Sequence, residues 1–190
     1  PGVAFVTRGP GATNASAGIH IAFQDSTPMV LFIGQVDSSQ RDREAFQEVD
    51  YKKMFTPLAK WVAEIDKTDR IPEYVSRAFS MAVSGRPGPV ILSLPEDILF
   101  AKSNVIDAPK IKPLRQMVSE SDVKEIITKL KNASNPFIIV GGSGWSLEAS
   151  KSLGKFAKSL GIPVGTSFRC QDYLDNYHPN YVGDVGIGIN

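Results

Sequence analysis

"VAFVTRGPGATNASAGIHIAFQDSTPMVLFIGQV", residues 3–36, is the stretch on which the fold class turns. It opens with "VAFVT" (3–7), a short apolar run closed by a turn signal, the pattern of a strand covered on both faces of a parallel sheet. The glycine- and proline-rich segment "RGPGATN" (8–14) predicts a permissive loop. "TNASAGIHIAFQDS" (13–26) then reads as a helix. Its first turns carry only small side chains, Ala15, Ser16, Ala17 and Gly18, so another group can approach closely. "PMVLFIGQV" (28–36) is the next strand. Strand, glycine turn, helix and strand in that order are the unit of an α/β fold with parallel strands.

Outward from this unit the alternation continues. "DSSQRDREAFQEVDYKKM" (37–54) reads as a polar loop, and "TPLAKWVAEI" (56–65) contains a strand. "RIPEYVSRAFSMAVSG" (70–85) is an amphipathic helix with Ile71, Val75, Ala78, Phe79 and Ala82 on one face, stopped by Gly85. "RPGPVILSLP" (86–95) is a strand bounded by prolines. The segment 96–121 holds Pro109 and Pro113 and little periodicity, the mark of a linker. A second block follows. "SESDVKEIITKLKNAS" (119–134) is a capped helix with Val123, Ile126, Ile127 and Leu130 as its apolar stripe. Strand "NPFIIVGGSG" (135–144), helix "SLEASKSLGKFAKSLG" (146–161) and strand "IPVGTSF" (162–168) complete it. The expected architecture is α/β: two incomplete Rossmann-like units with mainly parallel sheets. Their boundaries are 1–100 and 119–190, joined by a linker at 101–118.

Composition excludes several classes. The chain has 21 Lys and Arg against 20 Asp and Glu, so no basic face for nucleic acid is supplied in sequence. A single cysteine, Cys170, rules out an intrachain disulfide and a Cys-rich metal site, and fits a cytoplasmic protein. Two distant histidines, His20 and His178, do not make a metal site. No apolar run approaches the ~20 residues that span a bilayer, so no membrane partner is expected. The run "KIKPLR" (110–115) is a basic linker. The chain begins with Pro1, almost inside a strand, which gives the expectation that the natural domain starts upstream.

A strand, a glycine-rich turn and a helix start form a site for an anion or polar ligand, because the first N–H groups of the helix lack partners. Missing Cβ atoms also ease approach. "GPGATN" has neither the dinucleotide-binding spacing nor the phosphate-loop lysine. Local chemistry alone fits a structural turn as well as a ligand contact.

Three blocks in order, "RGPGATNASAGIHIAFQDSTPMVLFIGQV", "AFQEVD" and "RPGPVILSLPEDI", closely resemble the thiamine-diphosphate enzymes of the acetolactate synthase group. They span residues 1 to about 100. Residues from about 120 to 190 resemble the start of the same enzymes' central domain by order and pattern. The resemblance implies a pyrimidine-binding domain followed by a central domain. It implies thiamine diphosphate and Mg²⁺ as cofactors, FAD in some members, and a homo-oligomer, dimer or tetramer, with the site between subunits. The implied reaction is decarboxylation of a 2-oxo acid, pyruvate, with transfer of the two-carbon unit. Simple decarboxylation and a lyase reaction are alternatives within the group. From another class, a non-catalytic Rossmann-type nucleotide-binding module would keep the turns at 9–14 and 141–144.

The resemblance places the glutamate that activates the pyrimidine upstream of Pro1. It places the metal–diphosphate motif beyond Asn190. "VGDVGIGIN" (182–190) offers Gly183, Asp184 and Asn190 at too short a spacing, and reads as central-domain sequence. This chain alone is therefore expected to be inactive. It is also expected to associate with copies of itself or to be the ordered part of a longer chain. By the same resemblance Gly9, Pro10, Gly11 and Asn14 lie on the cofactor, and Gln47 is the catalytic amide beside the reacting centre, with a solvated loop residue as its plain reading. Phe46 fits substrate contact or core equally. Arg86, which opens "RPGPV", corresponds to an arginine that contacts FAD, with a surface arginine as its plain reading. "VGGSGW" (140–145) is a turn where the same nucleotide could lie. His20 is read as structural or interfacial, Asp25 as a turn residue, and Glu48 and Asp50 as solvated. No metal ligand is assigned.

Overall fold

The computed structural model describes residues 1–112 and 117–186, which form two compact units, Pro1–Leu114 and Arg115–Asn190. Both are α/β, and every strand pairing in both sheets is parallel.

The first unit contains β1 (Gly2–Val6), α1 (Pro10–Gln24), β2 (Met29–Gln35), α2 (Tyr51–Phe55), β3 (Trp61–Glu64), α3 (Ile71–Val83), β4 (Pro89–Pro95) and α4 (Glu96–Phe100). The sheet runs β1-β2-β4-β3. β4 pairs on both sides, and all seven of its residues are buried. That explains its unbroken apolar sequence, since side chains on both faces meet protein. The period of two is visible in the cores. Val30, Phe32, Val90 and Leu92 point to the face that receives Ala78 and Ala82 of α3. Leu31, Ile33 and Ile91 point to the opposite face, under Ala12 and Ile19 of α1 and Tyr51 and Phe55 of α2.

Three local readings change. The glycine segment is not a loop: Gly9 is the N-cap and the helix begins at Pro10. Proline suits a first helical position, because its missing N–H would have no helical partner. The polar run 37–54 ends in a short helix, for Asp50 accepts from the Lys53 N–H at 3.0 Å and starts α2. The segment expected to be plain linker starts with α4, whose Ile98 is buried. Pro113 and Asn190 lie outside the described residues.

The second unit contains α5 (Glu120–Asn132), β5 (Ile138–Val140), α6 (Leu147–Leu160), β6 (Val164–Ser167) and β7 (Tyr181–Val185), with sheet order β5-β6-β7. Its core is Val140, Ala157, Val164 and Leu174. α6 closes at Gly161, where φ is 65° and the Ile162 N–H donates to Ala157 O at 3.0 Å. Gly154 of α6 lets His178 approach, since a Cβ there would stand 3.2 Å from the ring Nε2. β7 has no counterpart in the sequence reading. The apolar stripe of α5 is only half covered: Ile127 and Leu130 are partly buried, whereas Val123 and Ile126 are 48% and 54% exposed.

Candidate functional site

Parallel strands deliver all their carboxyl ends to one edge of a sheet, and the connecting loops gather there. In the first unit this edge collects Arg8 and Gly9 after β1, Gln35 at the end of β2, Glu64 at the end of β3, and Glu96 after β4. The loop 37–50 lies over it. Four of the six residues predicted for the site, Gly9, Pro10, Gly11 and Asn14, form the start of α1, and Gln47 is brought against Gly9. Arg86 is not in this group.

Gly9 adopts φ 61°, ψ −111°, a conformation that favours glycine. A Cβ built there would lie 2.7 Å from the Gln47 Cβ and 3.2 Å from the Gln47 carbonyl oxygen. A Cβ on Gly11 would lie 2.9 Å from the Thr7 Cγ2. The space left by both glycines is thus filled by the chain's own side chains. That differs from the expectation that bare glycines make room for a ligand. What α1 offers outward is an exposed shelf: Pro10, Thr13 and Asn14, with Phe46 79% exposed. The Asn14 and Gln47 amides have no hydrogen-bond partner among the described residues, and no side chain caps the helix start.

Gln47 is half-buried and holds φ 66°; Asp42 and Glu44 in the same loop hold 59° and 55°. Three non-glycine residues in the left-handed region within six positions are a concentration of strain, and such strain persists only where the surroundings fix it. They do. The Glu48 carboxylate accepts from the Asp42 N–H at 2.9 Å and the Ala45 N–H at 3.3 Å. The buried Gln35 amide donates to Val49 O at 2.9 Å. Arg8 pairs with Glu96 and donates to Phe46 O at 3.3 Å. Arg41 pairs with Glu64, whose other oxygen accepts from Ser93 Oγ at 3.1 Å. Glu48 and Asp50, read as solvated, are thus loop and helix caps. The Lys53 N–H bound to Asp50 holds that carboxyl below its usual range.

Sequence reasoning missed Tyr51. It is buried, and its hydroxyl oxygen accepts the Gly9 N–H at 2.7 Å. Set among charges in "EVDYKK", it read as part of a polar loop; the signal available was an acidic N-cap followed by Tyr51 and Phe55, four apart on one helix face. Burial raises the Tyr51 pKa, partly offset by the Gly9 N–H and by Arg8 and Arg41. The unfolded chain gives up this proton near pH 10, before the folded one does. Stability from this group is therefore complete below about pH 10 and is lost as pH rises through the folded value. In urea titrations between about pH 8 and 11, Tyr51→Phe is expected to shed part of the alkaline decline. An identical decline in both proteins contradicts this.

Arg86 is exposed and works inside the fold. Its Nε donates to Ser26 Oγ at 2.7 Å and its Nη2 to Gln24 O at 3.0 Å, so it closes the C-terminal end of α1. Ser26 there has φ 57°. His20 is exposed on α1. In the second unit the 140–145 turn is bound by its own neighbours. Tyr173 Oη donates to Gly142 O at 2.7 Å and Trp145 Nε1 to Gly141 O at 3.1 Å. Among the described residues no group of three His, Cys, Asp or Glu could hold a metal ion.

The comparisons agree in chain order with this division. The thiamine pyrophosphate enzyme N-terminal TPP binding domain matches residues 1–54, which include the α1 start, Gln47 and Tyr51. The thiamine pyrophosphate enzyme central domain matches residues 123–190. The chain belongs to the thiamine pyrophosphate enzymes. Its relatives include an acetolactate synthase large subunit of Buchnera aphidicola subsp. Schizaphis graminum, 40% identical over 193 residues, covering 98% of this chain and 34% of the relative. The large subunit from Corynebacterium glutamicum is 35% identical over 190 residues, covering 98% and 30%. The Escherichia coli isozyme 3 large subunit is 34% identical over 197 residues, covering 98% and 33%. The chain thus spans about a third of the length of the curated relatives it matches.

Proposed function

We propose that the intact protein is an acetolactate-synthase-like enzyme that uses thiamine diphosphate and Mg²⁺ to decarboxylate a 2-oxo acid, pyruvate, and to pass the two-carbon unit to a second acceptor. Residues 1–100 serve as part of the pyrimidine-binding domain and 119–190 as part of the central domain, with 101–118 between them. The observation that carries the reading is the pairing of the uncapped start of α1 with a strained loop that holds an unpartnered amide, Gln47, against Gly9.

The residues suit the ring end of such a cofactor. The exposed residues Pro10, Thr13 and Asn14 at the start of α1 and Phe46 in the loop are apolar, hydroxyl or amide in character, and no acidic cluster for a metal lies among the described residues. Pro10 and Asn14 would lie along the rings, with Gly9 and Gly11 setting the backbone beneath them. When bound, thiamine diphosphate supplies the nucleophilic carbon and the electron sink. The chain's own contribution is orientation and electrostatics. The Gln47 side chain donates an N–H to the substrate oxygen as that oxygen gains charge. Phe46 covers the reacting centre and keeps water from it. Mg²⁺ receives no ligand from the described residues in this reading. Flavin is left out of it, because Arg86 is engaged at the end of α1. A homo-oligomer in the cytoplasm is the proposed setting, and no helix among the described residues is long and apolar enough to cross a membrane.

The test is an assay of the full-length protein with pyruvate, thiamine diphosphate and Mg²⁺. CO₂ release and acetolactate formation are expected, both lost when the cofactor is omitted. No turnover of any 2-oxo acid contradicts the proposal.

A further inference from the structure

We infer that Tyr51 is a positioning residue for this site, acting through Gly9 on Gln47. The inference rests on the reading that Gln47 meets the substrate.

The geometry is a chain of three contacts. Tyr51 is the first residue of α2, set by the Asp50 cap, and its ring is buried in the cluster of Ala12, Ile19 and Phe55. From this fixed base the hydroxyl accepts the N–H of Gly9 at 2.7 Å. Gly9 is itself buried, and among the described residues its N–H has no other acceptor. Gly9 in turn abuts Gln47, leaving no room for a Cβ between them. The preceding residue, Arg8, donates to the carbonyl of the residue before Gln47. Two adjacent residues after β1 therefore hold two adjacent residues of the loop, and Tyr51 fixes the one that touches Gln47. A left-handed φ of 66° at Gln47 relaxes if its support shifts. Removing the hydroxyl leaves the ring and the packing intact but orphans a buried N–H. The Gly9 turn then moves toward solvent or another acceptor, and the amide loses its place.

The experiment is a double-mutant cycle in the full-length protein with pyruvate and thiamine diphosphate, using Tyr51→Phe, Gln47→Ala and both together. Tyr51→Phe is expected to lower kcat about tenfold, roughly the factor carried by one net hydrogen bond, with KM for pyruvate within about twofold. In the Gln47→Ala background the same change is expected to lower kcat less than about twofold, because the group it positions is gone. A second reading needs no turnover. In the cofactor-free protein, amide hydrogen exchange at Gly9 and across residues 42–48 is expected to speed up about tenfold in Tyr51→Phe, with α3 unchanged. Equal losses in both backgrounds, an unchanged kcat in Tyr51→Phe beside a lowered one in Gln47→Ala, or unaltered exchange at Gly9 would each overturn the role of Tyr51 alone. An unchanged kcat in Gln47→Ala overturns the reading of Gln47, and the role of Tyr51 with it.

Discussion

Gly9→Ala is expected to destabilise the first unit by about 2–6 kcal/mol, from two additive causes. A side chain at φ 61°, ψ −111° occupies a conformation that costs about 1–3 kcal/mol. The new Cβ also meets the Gln47 Cβ at 2.7 Å, and forcing a methyl into filled space costs about 1–3 kcal/mol more. The flexible end of a side chain could swing away; a Cβ and a carbonyl oxygen cannot, so the loop itself must move. Gly18→Ala is the control. That residue lies within α1 with nothing in reach of a new Cβ, so the change is expected to stabilise by about 0.5–1 kcal/mol. Urea midpoints of the two variants should move in opposite directions. A Gly9→Ala protein as stable as the parent would show that the turn is not the tight contact described.

Gln47→Ala is expected to lower kcat about 100-fold while thiamine diphosphate affinity changes little, since removal of one donor to a developing negative charge costs about 10²–10³ in rate. The amide touches no other described residue as a hydrogen-bond partner, so its loss leaves no orphaned group in the fold. The stability cost is therefore small, and the rate loss is not explained by unfolding. Gln47→Gly sharpens the point. It removes the same amide and relieves the left-handed backbone, so it is expected to gain about 1 kcal/mol of stability while losing the same rate. Opposite movement of stability and rate at one position is what a residue held under strain for its chemistry predicts. Unchanged kcat in Gln47→Ala removes it from the site.

The sheet was legible because its physics is local. β2 and β4 alternate side chains that each need cover on two faces, so "VLFI" and "PVILSLP" read as buried parallel strands, and they are. Gly161 likewise closes α6 as its position suggests. The candidate site was legible only as a set of positions. The glycines at 9 and 11 look like openings in a one-dimensional sequence, whereas Gln47 and Thr7 fill them in space. Tyr51 stayed hidden because its partner is 42 residues away. Its neighbours in sequence are charged caps whose role appears only once α2 forms. Arg86 read as a surface group or a ligand contact; its hydrogen bonds to the end of α1 depend on how β4 is brought beside that helix. The half-exposed stripe of α5 shows the converse limit, since periodicity reports an apolar face without naming what covers it.

The most direct measurement is a crystal structure of the intact protein with thiamine diphosphate bound. The cofactor's rings are expected within about 4 Å of Pro10 or Asn14, with the Gln47 amide facing the thiazolium side. Rings seated elsewhere, with the start of α1 and Gln47 in bulk solvent, would contradict it.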